Sequence, residues 1–199
     1  AVYPDAPDLS SRSLPLVLFS HGGLSTMHSN QSLYEELASH GYIVASVSHT
    51  DHALSSPVKG GRVFVDRDYL GEISRENSHE DTAYSLRCYR KWMALRIQDL
   101  SFVLDSLLSG GGGALFCRLI DPGRIGLAGH SLGGAAAYGL ARQRQDIRAV
   151  MALESPYLAD ITGTDGSDFV WNTAPYRCAM MNVYSDAGLA LMEHDHKYA

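Results

Sequence analysis

The sequence predicts an α/β fold, a mainly parallel sheet with helices on both faces. Strand-length apolar runs alternate with segments of helix length, and one long segment carries its apolar residues at helical spacing. A chain of 199 residues, 45% hydrophobic and 19% charged, is large enough for one core and has no disordered signature. The first run, Leu14-Pro15-Leu16-Val17-Leu18-Phe19-Ser20, reads as a buried strand. Residues 31–39 read as a helix, and residues 42–48, rich in β-branched side chains, as a second strand. From Thr82 to Leu108, the residues Leu86, Met93, Ile97, Leu100, Leu104 and Leu107 define a long helix, with Ser78 as N-cap and Asp81 three residues on. Gly110 to Gly113 ends it. Residues 124–128 are the next strand, 133–144 a small-residue helix, and 147–154 and 178–184 two further strands. No internal repeat or linker divides the chain, so residues 1–199 read as a single domain.

The chemistry is concentrated in Gly129-His130-Ser131-Leu132-Gly133-Gly134. A G-x-S-x-G between a strand and a helix is a nucleophile elbow, a tight turn that lifts a serine above the sheet edge. Ser131 is the candidate nucleophile. Upstream, the first strand runs into His21-Gly22-Gly23, a turn that can supply half of an oxyanion hole; the donors expected are the Gly23 and Leu132 N–H groups. The triad acid belongs at the tip of the strand after the elbow helix, where a carboxylate can reach and orient an imidazole. Glu154 stands there, with Asp160 as the second choice.

Other features weigh less. Residues 51–77 fit no core element; 60–69 read as a small hairpin, and 53–77 as a substrate flap or an insertion. His49 and His52 are expected to be hydrogen-bonded turn residues rather than metal ligands, so no metal is expected. Cys88, Cys117 and Cys178, placed in helix, loop and strand, form neither a metal motif nor a disulfide framework. A formal charge of −6 argues against a nucleic-acid partner, and no apolar stretch reaches membrane-spanning length. The compartment is left open. Tyr157, Phe169 and Trp171 could line an acyl pocket, or equally serve as packing anchors.

Taken together, Leu18-Phe19-Ser20-His21-Gly22-Gly23, Leu37-Ala38-Ser39-His40-Gly41-Tyr42-Ile43-Val44-Ala45, His49-Thr50-Asp51-His52, Arg96-Ile97-Gln98-Asp99-Leu100 and the elbow resemble the platelet-activating-factor acetylhydrolase family of α/β-hydrolases. The resemblance runs from about Leu14 to Tyr184. It implies an α/β-hydrolase fold and cleavage of carboxylic esters without a metal or organic cofactor. Relatives carry aspartate where this chain has Glu154.

In that fold the histidine follows the acid, on a loop beyond the last strand. His194 and His196 sit in what reads as the start of the final helix. The expectation is therefore a domain incomplete at its C-terminus, lacking the last helix, strand and histidine loop. The base would come from outside residues 1–199 or from a second polypeptide, with His194 or His196 as the less favoured choice. The function expected is ester hydrolysis of a lipid-like or short-acyl small molecule through an acyl-enzyme. The alternatives are a catalytically idle module that binds a ligand or partner, and an acyltransferase or thioesterase using the same serine.

Overall fold

The computed structural model describes residues 13–110 and 114–194, without the side chains of 114–116 and 191–194. In chain order the elements are β1 (Leu14–Ser20), α1 (Gln31–Ser39), β2 (Ile43–Val47), β3 (Ser55–Val58), β4 (Gly61–Phe64), α2 (Arg67–Arg75), α3 (Thr82–Leu108), α4 (Ala114–Leu119), β5 (Ile120–His130), α5 (Leu132–Gln143), β6 (Ile147–Leu153), β7 (Ile161–Asp165), β8 (Asp168–Trp171), β9 (Ala179–Val183) and α6 (Asp186–His194). Five strands form one parallel sheet in the order β2-β1-β5-β6-β9. All five therefore present their C-terminal ends at one edge. Two antiparallel hairpins, β3-β4 and β7-β8, stand outside it.

The core lies between the sheet and the pair α3 and α5. Leu16, Leu18, Leu127, Val150 and Ala152 from the strands meet Leu100 and Leu104 of α3 and Ala135 to Ala137 of α5, all buried. Burying these apolar surfaces is the main stabilising term. The small side chains of α5 let it lie close to the strands beneath it. On the opposite face α1 covers the β2 side, and Leu37 borders an open apolar trough lined by Val17, Ala128, Met151 and Met181. No helix among the described residues is long and apolar enough to cross a membrane.

Several local expectations change. The hairpin is 55–58 paired with 61–64, and residues 67–75, expected to belong partly to the hairpin over 60–69 and otherwise to the flap or insertion, form α2, whose N-cap Asp66 accepts from Tyr69 N–H at 2.9 Å. That carboxylate satisfies a first-turn donor and starts a helix. Asp81, rather than Ser78, caps α3, accepting from Tyr84 N–H at 2.8 Å. Cys117 lies in α4 instead of a loop. Gly110 has φ +90° and follows the end of α3, while Gly111 to Gly113 lie outside the described residues.

Behind the sheet edge sits a buried polar cluster. His21, His49 and Arg96 are fully buried, and His52 nearly so. Burial holds His21 down at about 4 and His52 at about 3, with the Arg96 charge adding to both shifts, and it holds His49 well below the usual 6.5. The unfolded chain therefore binds more protons than the folded one below pH 6.5, and stability falls with acidification through the folded values. Each imidazole contributes up to about 1.4 kcal/mol per pH unit. Asp99, pushed up by burial, works in the opposite sense. The urea midpoint is expected to fall between about pH 6.5 and pH 4; a midpoint that is flat or rises over that interval would contradict the neutral-imidazole assignment.

Candidate active site

Three non-glycine residues among those described have positive φ: Leu24 at 51°, Ser131 at 53° and Glu154 at 50°. They lie just beyond β1, β5 and β6, adjacent strands whose C-terminal ends share one edge. Such conformations cost on the order of 1–3 kcal/mol each and persist only where the surroundings impose them. At the elbow the surroundings are explicit. Ser131 N–H donates to Leu153 O at 2.9 Å, and Ser131 O accepts from Ala135 N–H at 3.1 Å and Ser155 Oγ at 2.9 Å. A Cβ on Gly129 would sit 2.4 Å from Gly133 C, and one on Gly133 would sit 2.0 Å from Ser20 O. Only glycine permits helix α5 to start this close to β1 and β5.

The His-Gly-Gly turn reaches the elbow as the motif predicts. A Cβ on Gly22 would lie 2.8 Å from His130 Nδ1 and 3.5 Å from Ser131 Cβ; one on Gly23 would lie 2.9 Å from Leu132 Cδ1. Gly23 N–H and Leu132 N–H make no hydrogen bond among the described residues. Two free backbone donors flanking a strained serine are what an oxyanion site requires. The turn is tied from behind: Leu24 N–H donates to His52 O at 3.1 Å, and Leu54 N–H to Ser25 O at 2.9 Å.

A second serine, histidine and aspartate meet nearby with distances like those of a triad. Asp99 Oδ2 can only accept, so His49 Nδ1 donates to it at 2.8 Å, and His49 Nε2 accepts from Ser20 Oγ at 2.8 Å. Ser20 and His49 are both fully sealed from solvent, so no substrate carbonyl can approach. The chain of bonds is a brace between β1, the β2 loop and α3. His49 and His52 are hydrogen-bonded turn residues, and the described residues contain no group of three or more His, Cys, Asp or Glu that could hold a metal.

Glu154 reaches the predicted strand tip. Its N–H donates to Val183 O at 2.9 Å, and Oε1 accepts from Ser185 N–H. The hydrogen bonds from Ser185 lower its pKa, and the nearby His130 adds to the shift. Oε2 presses against Gly188 in the first turn of α6: a Cβ there would lie 1.8 Å from it. The longer side chain is thus accommodated by a left-handed backbone and a glycine opposite. Asp160 is placed elsewhere. It accepts from Arg142 Nε at 2.9 Å and Nη2 at 3.0 Å, and from Tyr176 Oη, near the end of α5. Ten residues of helix separate Arg142 from Leu132, roughly 15 Å at the α-helical rise, so Asp160 is a clasp for the β7-β8 segment.

The aromatic residues considered for an acyl pocket are held in packing contacts. Phe169 is buried against Tyr89 and Trp171, Tyr157 stacks on Tyr138 at 4.5 Å, and Tyr157 and Trp171 flank the Arg142–Asp160 clasp. They are packing anchors. No described imidazole is hydrogen-bonded to Ser131 Oγ. His194 closes α6 with only its backbone described, and His196 lies outside the described residues. Arg96 and Gly188, which touch these loops, had no assigned role in the sequence.

Fold and elbow together define the class: the chain has the α/β-hydrolase fold. The family model for platelet-activating factor acetylhydrolase, isoform II, matches residues 4–67, which include the His-Gly-Gly turn but not the elbow. The chain is 29% identical over 126 residues to a probable 1-alkyl-2-acetylglycerophosphocholine esterase of Arthroderma benhamiae, covering 63% of this chain and 27% of that protein. It is 24% identical over 173 residues to the platelet-activating factor acetylhydrolase of Cavia porcellus, covering 75% and 37%. Among solved structures, a ferulic acid esterase from Streptomyces cinnamoneus aligns with TM-score 0.60 and 28% identity, over 94% of this chain and 48% of that one. A dienelactone hydrolase from Anabaena variabilis aligns at TM-score 0.54 and 16% identity, over 92% and 68%, and bears on the fold alone. The chain is therefore similar to the platelet-activating-factor acetylhydrolase-like family, and spans 27% and 37% of the length of these two curated relatives.

Proposed function

We propose that this chain carries the nucleophile, acid and oxyanion hole of a serine hydrolase acting on carboxylic esters. The observation that supports this best is the convergence of strained Ser131 with the free Gly23 and Leu132 N–H groups at one sheet edge. A base takes the Ser131 proton, Oγ attacks the ester carbonyl, and the oxyanion is received by the two N–H groups. The base returns its proton to the departing alcohol, and water then releases the acyl group by the same path reversed. Glu154 orients the base, which we assign to a histidine outside the described side chains: one in the natural full-length polypeptide or one in a second polypeptide. The names of the relatives share one chemistry, the carboxylic ester, and the substrate class proposed is a lipid-like or short-acyl ester. A catalytically idle module has no need of a strained serine facing unpaired donors.

The natural full-length protein should hydrolyse a p-nitrophenyl ester series from acetate to octanoate, with a burst of p-nitrophenol stoichiometric with protein. p-Nitroacetanilide should be turned over far more slowly. Absence of ester turnover above background would overturn the hydrolase reading in favour of the idle module.

A further inference from the structure

The hydrogen bonds of Arg96 go beyond what packing requires. Arg96 projects from the middle of α3 and is 0% exposed. Nη1 donates to His21 O at 2.6 Å, Nη2 to Gly22 O at 3.3 Å, and Nε to His52 Nδ1 at 3.0 Å. None of these acceptors is a carboxylate. Asp99 and Tyr69 offset part of the cost of burying this cation, yet a rivet between helix and loop could be built from apolar side chains of the same volume. What the guanidinium adds is direction and charge. Its fork takes the carbonyls of two successive residues of the oxyanion turn, a geometry a planar guanidinium provides and an ammonium does not.

The direction matters because a trans peptide is planar, with C=O and N–H on opposite sides. Gly22 O and Gly23 N–H belong to the same peptide unit. Drawing Gly22 O toward Arg96 therefore turns Gly23 N–H the other way, away from α3, in a turn where Leu132 borders Gly23 and Ser131 borders Gly22. His21 Nδ1 donates to the same Gly22 oxygen at 2.7 Å, and His21 Nε2 accepts from His49 N–H at 3.3 Å, so the neutral imidazole reinforces the same orientation. Burial lowers the Arg96 pKa only to about 10, leaving it charged at neutral pH. A positive charge behind that peptide polarises its N–H toward a developing oxyanion.

We infer that Arg96 is the positioning residue of the oxyanion hole: through the carbonyls of His21 and Gly22 it fixes and polarises the peptide whose N–H, on Gly23, receives the substrate oxyanion. The inference rests on the serine-hydrolase reading above. It assigns Arg96 an effect on kcat, since the oxyanion exists only in the transition state and intermediates, and little effect on KM.

The test compares wild type, Arg96→Lys and Arg96→Gln in the natural full-length protein, so that a folding failure in one variant leaves the other. Each is titrated to completion with a fluorophosphonate, and kcat for p-nitrophenyl acetate is expressed per titrated serine. Lysine keeps the charge but not the fork, and should lower kcat roughly 10- to 100-fold with KM within about threefold. Glutamine, which loses the charge too, should lower it further. A folded variant with wild-type kcat per titrated serine would overturn the inference while leaving the hydrolase reading intact, and Arg96 would then be a rivet. Wild-type protein in which no serine titrates would overturn both.

Discussion

Alanine at position 131 is expected to abolish turnover while leaving the fold in place. Removing the nucleophile of a triad leaves only the acceleration from the oxyanion hole and binding, about 10³- to 10⁴-fold over the uncatalysed reaction. The burst of p-nitrophenol and fluorophosphonate labelling should vanish together. Backbone strain adds an independent readout. Ser131 is held at φ 53° and ψ −125°, where glycine is unstrained and serine is not. Ser131→Gly should therefore be equally inactive yet more stable than wild type, by on the order of 1 kcal/mol, in urea denaturation. Labelling that persists in either variant would remove Ser131 from the mechanism.

The second large effect concerns Glu154. Glu154→Gln keeps the volume and the acceptor for Ser185 N–H, but no longer supplies the negative charge that holds the imidazole in its working tautomer; kcat should fall by about 10³ to 10⁴. Asp160→Asn should do the opposite. It leaves Arg142 without its carboxylate and should cost about 3 kcal/mol of stability, with kcat unchanged in the folded protein. The glycine opposite Glu154 makes a finer prediction. Gly188→Ala places a methyl where Oε2 now sits, so it should reproduce part of the Glu154→Gln loss. Combining Gly188→Ala with the shorter Glu154→Asp should recover activity. Equal activity of Gly188→Ala and wild type, or a larger kcat loss in Asp160→Asn than in Glu154→Gln, would take Glu154 out of the acid role.

What the sequence revealed depended on how local the signal was. The five sheet strands and α3 follow from apolar runs and helical spacing, because their partners are faces rather than single residues. The elbow was legible because its glycines are required by contacts within the motif and with the end of β1. Residues 67–75 were not read as helix: Gly71 sits mid-helix and the preceding Val63-Phe64-Val65 run suggested a longer hairpin, although Asp66 offered an N-cap three residues before Tyr69. Arg96 was visible within a family-like segment, but two of its three acceptors, the carbonyls of His21 and Gly22, lie more than 70 residues away on the turn after β1, and nothing near it in sequence announces them. Gly188 is silent for the same reason. The side chain it faces, Glu154, stands on a strand tip distant in sequence.

The central claim is that Ser131 becomes acylated, and intact-mass and peptide-mapping spectrometry of the full-length protein quenched in acid during turnover of a p-nitrophenyl ester tests it most directly. The account predicts a mass increase equal to the acyl group, located on the peptide containing Ser131, absent from Ser131→Ala and accumulating to one equivalent. Ester hydrolysis with no covalent adduct, or with an adduct on a peptide lacking Ser131, would contradict it.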